Sequence, residues 1–251
     1  ASFDFGLMWD TVMDVLRNVS PALHVMVDSQ IKAFEQQAGV SLRKDLLGSL
    51  GTRLVSFADI DADALLDEEN IDELEASLDG FIGEFYAISL KDADRFDQSL
   101  RTLIDAVAPG SELFEESKHK GIVVRTLRDQ TDISFSYAVT PKWLFINMGE
   151  KARILKAIAR SKKPRKSLWE RPDVAVALKD LPNEYTQLEY ADFEALVELI
   201  KTGVELGFED SSGESLDLDG LPEMPFFMLG WSREVKRGMV SKVRLFPKDA
   251  E

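Results

Sequence analysis

The stretch Gly39-Val-Ser-Leu-Arg-Lys-Asp-Leu-Leu-Gly-Ser-Leu-Gly51 constrains the fold of this chain more than any other, because it sets two stop signals either side of one short apolar segment. Glycine ends helices cheaply, since it alone enters the left-handed backbone region without a Cβ penalty. The spacing predicts a helix that stops at Gly39, a short helical turn over Arg43–Leu50, a second stop at Gly51, and a strand over Thr52–Ala58. No side chain in it is a nucleophile or a metal-binding cluster. It is architecture.

Helical periodicity precedes this element. Leu7, Met8, Val12, Val15 and Leu16 recur at helical spacing within Phe5–Asn18. Ser20-Pro21 then supplies an N-cap and a first-turn proline for a second helix running to Ala38, with Leu23, Val27, Ile31 and Phe34 on one face. Beyond it we expect a strand at Phe81–Leu90, a helix at Ala93–Val107, and strands at Leu113–Ser117, Ile122–Leu127, Ile133–Val139 and Trp143–Met148. A helix over Lys151–Arg160 leads into a basic linker, Ser161–Ser167. A short helix from Pro172, a strand at Tyr185–Tyr190, a helix at Phe193–Leu206 and a hairpin of Phe226–Ser232 with Met239–Phe246 complete the chain.

The order repeats. Glu84–Asp92 and Glu184–Asp192 lie 100 residues apart, each a strand ending in Asp, followed by a helix with a phenylalanine near its start (Phe96, Phe193). The expected fold is α+β: an antiparallel sheet from two degenerate helix–strand–helix–hairpin units, residues 20–148 and 149–251, with helices on one face. Residues 1–19 form a helical N-terminal extension, and the two units are expected to make one compact domain.

Composition removes whole function classes. The net charge of −15 argues against nucleic acid, whose phosphates are held by Lys and Arg. With no cysteine there can be no disulfide, thiolate nucleophile or Cys-based zinc site. No apolar run is long enough to span a bilayer as a helix. The chain starts Ala1-Ser2-Phe3, without Met or an apolar leader, and reads as a piece trimmed from something longer.

Three motifs together resemble a family of bacterial envelope proteins, a domain of unknown function common in planctomycete-type bacteria. They are Gly39–Gly51, Ser89-Leu-Lys-Asp92 before a helix, and Ser167-Leu-Trp-Glu-Arg-Pro-Asp-Val174 before Leu181-Pro182. The similarity spreads as short motifs from about Gln30 to Asp192. The Phe5–Asn18 helix and an acidic insertion at residues 59–79 depart from the pattern. The resemblance implies a periplasmic or extracellular location, membrane anchorage through a segment outside this sequence, and a non-enzymatic or unknown role. It transfers no catalytic residue.

Each chemically suggestive residue has a plainer use. His24 lies in a helix and His119 in the Lys118-His119-Lys120 turn, neither with a nucleophile or orienting partner in any motif. Asp92 and Asp192 end strands and open helices, where a carboxylate caps the first turn. Brought face to face by two packed units, they would instead make an acid–base pair for a carboxylate hydrolase. From Asp59 to Asp79 ten of 21 residues are acidic and none is basic. Asp59, Asp61, Asp63 and Asp67 approximate a calcium loop, but Ala64 replaces its glycine and Asn70 its closing glutamate. Calcium is therefore the one cofactor to consider, and a solvated acidic loop the plainer outcome.

The Lys151–Arg171 stretch carries nine basic residues and a single acid, Glu170. Lys151, Arg153, Lys156, Arg160, Lys162, Lys163, Arg165 and Lys166 are candidates for gripping an anionic partner, against a basic helix end that favours the dipole. Trp143, Trp169, Trp231 and the Pro225–Trp231 run read as core strands, with a groove for an apolar ligand as the functional alternative. The expected function is a non-catalytic envelope domain that binds or organises a partner, a protein or another envelope component. A carrier of an apolar or amphipathic ligand is the alternative, and a carboxylate hydrolase the third.

Overall fold

Ser20 and Gly39 set the geometry of the helical N-terminus. The structure, a computed structural model, describes residues 4–60, 82–110, 113–128, 135–149, 151–163, 167–182, 184–193, 197, 225–236 and 238–248. Helix α1 (Phe5–Val19) is capped by Asp4, whose Oδ1 accepts the Leu7 N–H at 2.9 Å. Helix α2 (Pro21–Ala38) starts one residue later, with Ser20 Oγ accepting from Leu23 N–H and proline in its first turn. A single linking residue makes the two an antiparallel hairpin: Arg17 and Trp9 of α1 share a cleft with His24 and Lys32 of α2.

Gly39 ends α2 in the left-handed conformation, at φ 69°. The chain then makes one π-helical turn (Leu42–Leu46) and one 3₁₀ turn (Leu47–Ser49) where the sequence predicted a short helix. Asp45 organises this turn. Its Oδ2 accepts the Ser41 N–H at 2.7 Å, and the Arg95 guanidinium pairs with its Oδ1. The Ser41 amide first, then Arg95, hold its carboxyl below the usual carboxylate range. Arg43 reaches the other way to a bidentate pair with Asp10 of α1, at 2.9 and 2.8 Å, passing over the buried Gly6. Two motifs noted separately in the sequence therefore meet. The Lys91 N–H of the Ser89–Asp92 run donates to Ser49 O at 2.8 Å, and the Arg53 N–H to Ser89 Oγ at 3.0 Å.

Six strands follow the order β1-β2-β6-β5-β4-β3 in an antiparallel sheet. They are β1 (Leu50–Ile60), β2 (Ile82–Leu90), β3 (Phe114–His119), β4 (Ile122–Leu127), β5 (Phe135–Val139) and β6 (Trp143–Met148). Helix α3 (Ala93–Val107) buries Phe96 against one face, over Tyr137 and Leu144, with Leu100 and Ile104 packed beside it. Helix α4 (Lys151–Lys162) buries Ile154 and Ile158 against the other, over Phe85, Val124, Ala138 and Phe145. The α+β class and the antiparallel sheet stand as expected. The helices, however, cover both faces rather than one, because alternate residues of β2, β5 and β6 are apolar on both sides and each side needs a cover.

By packing, the chain divides into unit 1 (Ala1–Asp59 with Gly83–Lys162) and unit 2 (Ile60–Ile82 with Lys163–Glu251). The division falls after α4, not before it as the repeat suggested, since Ile154 and Ile158 belong to the core of the six-stranded sheet. Likewise α1 is no mere extension, for Phe5 packs into the same core as α3.

In unit 2 a 3₁₀ turn (Leu168–Glu170) leads into α5 (Pro172–Leu178), which buries Val174 and Ala177 against Phe227 and Leu229. The sheet runs β7 (Gln187–Asp192), β8 (Phe226–Val235), β9 (Gly238–Pro247), again antiparallel. Tyr190, Phe227 and Phe246 stack across it at 5.6 Å centroid spacing. Trp169 lies on the 3₁₀ turn and is partly exposed, so it is no core-strand residue. The matched strands are also paired differently. In unit 1, β2 joins the second strand of the β5–β6 hairpin; in unit 2, β7 joins the first strand of the β8–β9 hairpin.

Candidate anion-binding surface

The apolar face of α4 fixes where its basic residues go. With Ile154 and Ile158 against the sheet, Lys156 and Arg160 fall on the solvent side, and Lys162 and Lys163 are exposed at the helix end. Positive side chains there complement the negative end of the helix dipole. Arg153, by contrast, is buried among the sheet-facing residues of α4 and leaves the surface set, while Lys151 is half-buried in the first turn. Arg165 and Lys166 lie outside the described residues.

A second basic stretch meets the first. Strands β3 and β4 are joined by Lys120-Gly121, both with positive φ (48° and 80°), a two-residue turn whose twist suits a hairpin. Asparagine or glycine is the usual occupant of the first position; here lysine takes it and carries its ammonium to the tip. The Lys162 ammonium donates to the Lys120 carbonyl, which docks the end of α4 on this turn. The Lys120-Gly121 turn and the end of α4 thus meet at one corner of unit 1, while Lys118, opposite Val123, lies on the α3 face of the sheet with Glu116 and Arg125. Among the described residues no carboxylate pairs with Lys118, Lys120, Lys156 or Arg160, whereas Arg43, Arg95, Arg101 and Arg125 all have one.

The carboxylates singled out by sequence have structural employment. Asp92 caps α3, its Oδ1 accepting the Arg95 N–H at 3.0 Å. Asp192 ends β7, where its Oδ2 accepts the Tyr190 hydroxyl at 3.1 Å and its Oδ1 pairs with Lys248 at 2.7 Å. They belong to different units. We predict that Asp92→Ala lowers stability by about 1 kcal/mol and Asp92→Asn by much less, since asparagine caps nearly as well. Equal losses in a urea titration would show that charge, not capping, is its contribution.

His24 is half-buried on α2 beside Asp28, in the cleft between the two N-terminal helices. Asp59 falls within the backbone of β1, which continues to Ile60; Asp61, Asp63 and Asp67 lie outside the described residues. Among the described residues no cluster of acidic and histidine side chains forms a metal cage.

Sequence spacing gave no hint of the most buried charge. Arg125, on β4, is 4% exposed and bonds Glu116 at 2.8 Å and Asp97 at 2.9 Å, with the Tyr137 ring 5.5 Å away. Its only signal was one arginine inside the otherwise strand-like Ile122–Leu127. Burial raises the Tyr137 hydroxyl above its ordinary pKa.

Clefts open among the described residues of unit 1, with apolar side chains (Phe5, Leu47 and Leu50 in one, Trp9 and Met13 in the other) beside mostly polar linings. One of about 220 Å³ is lined by Asp4, Gly6, Arg43, Gly51, Thr52 and Lys91, the other of about 400 Å³ by the polar side of the α1–α2 hairpin. Neither has the apolar lining that a carrier groove requires. No family model matches the chain, and it matches no curated protein and no solved structure.

Proposed function

We propose that the chain is a non-catalytic binding module that takes an anionic polysaccharide on the corner formed by Lys120, Lys156, Arg160 and Lys162. The observation that carries this is the bond from the Lys162 ammonium to the Lys120 carbonyl, which brings the basic end of α4 to the β3–β4 turn of a strongly acidic chain; among the described residues these cations have no carboxylate partner. Such a cluster concentrates positive field at one point of a chain whose net charge is otherwise negative. The likeness of Gly39–Gly51, Ser89–Asp92 and Ser167–Val174 to envelope proteins favours a location outside the cytoplasm, where charged glycans are the abundant anions.

Dextran sulfate, with uncharged dextran as control, tests this by anisotropy of labelled protein across a salt series. Binding should weaken steeply with salt. The triple variant Lys120→Glu/Lys156→Glu/Arg160→Glu should bind at least tenfold more weakly, while Lys44→Glu/Lys142→Glu/Lys179→Glu, of equal charge change, should lose far less. Equal losses in both variants, or no binding by the native chain at low salt, would remove the corner from any role in function.

A further inference from the structure

We infer that the α1–α2 hairpin pairs with the same hairpin of a second copy of this chain, closing a four-helix bundle across a twofold axis. The inference is independent of the basic corner and rests on a surface that the fold leaves uncovered. On α1, Met8, Val12, Val15 and Val19 recur at i, i+4, i+7 and i+11, which aligns them along one side of the helix. On α2, Leu23 and Met26 continue that side past the turn. These six side chains are between 42% and 80% exposed.

The stripe of Met8, Val12, Val15 and Val19 on α1 and the pair Leu23 and Met26 on α2 lie on the same side of the hairpin, whereas Leu7 and Val25 are exposed elsewhere. Asp10, Asp14 and Arg17 of α1 and His24, Asp28 and Lys32 of α2 share the cleft on the other side, together with Trp9 and Met13. At 100° per residue, Met8, Val12, Val15 and Val19 lie roughly opposite the α1 members of that cleft, and Met26 and Ala33 opposite the α2 members. Soluble monomers rarely leave a contiguous apolar surface two helices wide.

Charge decides among the occupants. A helix hairpin that lies on a bilayer carries Lys and Arg on its polar face to meet anionic headgroups. Here that face holds Asp10, Asp14, Asp28 and Glu35 against Arg17 and Lys32, an acidic balance that headgroups repel. The apolar side itself, with Gln30, Ala33 and Gln37 extending it along α2, bears no charge of either sign. A twofold axis sets each patch against its own copy, so any charge in it would meet its like; a neutral surface avoids this. Antiparallel helix pairs stacked face to face are the ordinary four-helix solution. The size is also adequate. The 18 residues of α2 run about 27 Å, and two helices side by side span about 20 Å, so the pair of copies would bury on the order of 1,000 Å².

Sedimentation equilibrium of the full chain, over a series of concentrations, reads the association directly. The expected mass at high concentration is twice the 28.2 kDa of the chain. Val12→Glu/Val15→Glu should weaken association at least a hundredfold with unchanged helical circular dichroism, and Asp14→Asn on the polar side should leave it intact. Because the chain has no cysteine, a second readout needs no fold change. Val15→Cys should oxidise to a disulfide-linked dimer much faster than Asp14→Cys. A native chain monomeric throughout the series, a dimer indifferent to the glutamates, or equal oxidation of the two cysteines would each overturn the pairing. So would a monomer that co-sediments with phosphatidylglycerol vesicles through the same residues, which would assign the surface to lipid.

Discussion

Gly51→Ala should cost unit 1 about 3 kcal/mol, the upper part of the range for forcing atoms into a packed site. Gly51 sits where β1 leaves the 3₁₀ turn and crosses β2. A methyl group there would enter the van der Waals shell of Ser89 Oγ and lie 3.0 Å from both Ser89 Cβ and the Ser89 carbonyl oxygen. The side chain cannot simply swing away, because Ser89 Oγ accepts the Arg53 N–H and the Ser49 carbonyl binds the Lys91 N–H one step further on. Urea unfolding should show a lower midpoint at an unchanged slope. Adding Ser89→Gly removes two of the three crowded atoms, so the double variant should recover part of the loss despite sacrificing the Arg53 bond. A Gly51→Ala midpoint equal to the native one would mean that the two strands are not this close.

Arg125→Ala should be the other severe change, at about 3 kcal/mol or more. The guanidinium joins three elements: β4, which carries it, Glu116 on β3 and Asp97 on α3. Asp97 also pairs with Arg101, so the cluster ties α3 to the sheet by charge as well as by Phe96 and Leu100. Removing the arginine leaves the carboxylates facing each other with one cation fewer and opens a cavity beside the Tyr137 ring. Arg125→Met fills most of that volume without charge and should recover roughly half of the loss, separating packing from pairing. Arg125→Lys should rank with methionine or below it, because an ammonium cannot bond two carboxylates in the planar fork that the guanidinium offers. If lysine restored native stability, fork geometry would be irrelevant and a point charge sufficient.

Local grammar was readable and the third dimension was not. Helices α2 and α3 and strands β4 and β6 have the bounds that their capping residues and apolar periods predict, down to Gly39 and Asp92. Strand β7 came later than expected, at Gln187–Asp192 rather than Tyr185–Tyr190, because its register is set by pairing with β8. What spacing could not supply was any contact between distant segments. The side of the sheet that α4 covers depends on β2, β5 and β6 having two apolar faces, and periodicity within one strand does not say which helix meets which face. The same limit hid the candidate site. Lys118–Lys120 and Lys162 look like separate basic stretches until a hydrogen bond between elements about 40 residues apart joins them. Arg125 looked like a surface arginine in a strand, since its partners Asp97 and Glu116 lie on other elements.

The discontinuous course of unit 1 gives the ribosome a particular schedule. Residues 60–82 group with unit 2, yet they are made before the strands β2–β6 and before the 89 residues of Lys163–Glu251 that complete that unit. At about 5–20 residues per second, roughly 4–18 s pass between the synthesis of α4 and that of Glu251. During that interval unit 1 has all of its sequence and unit 2 has only its earliest piece.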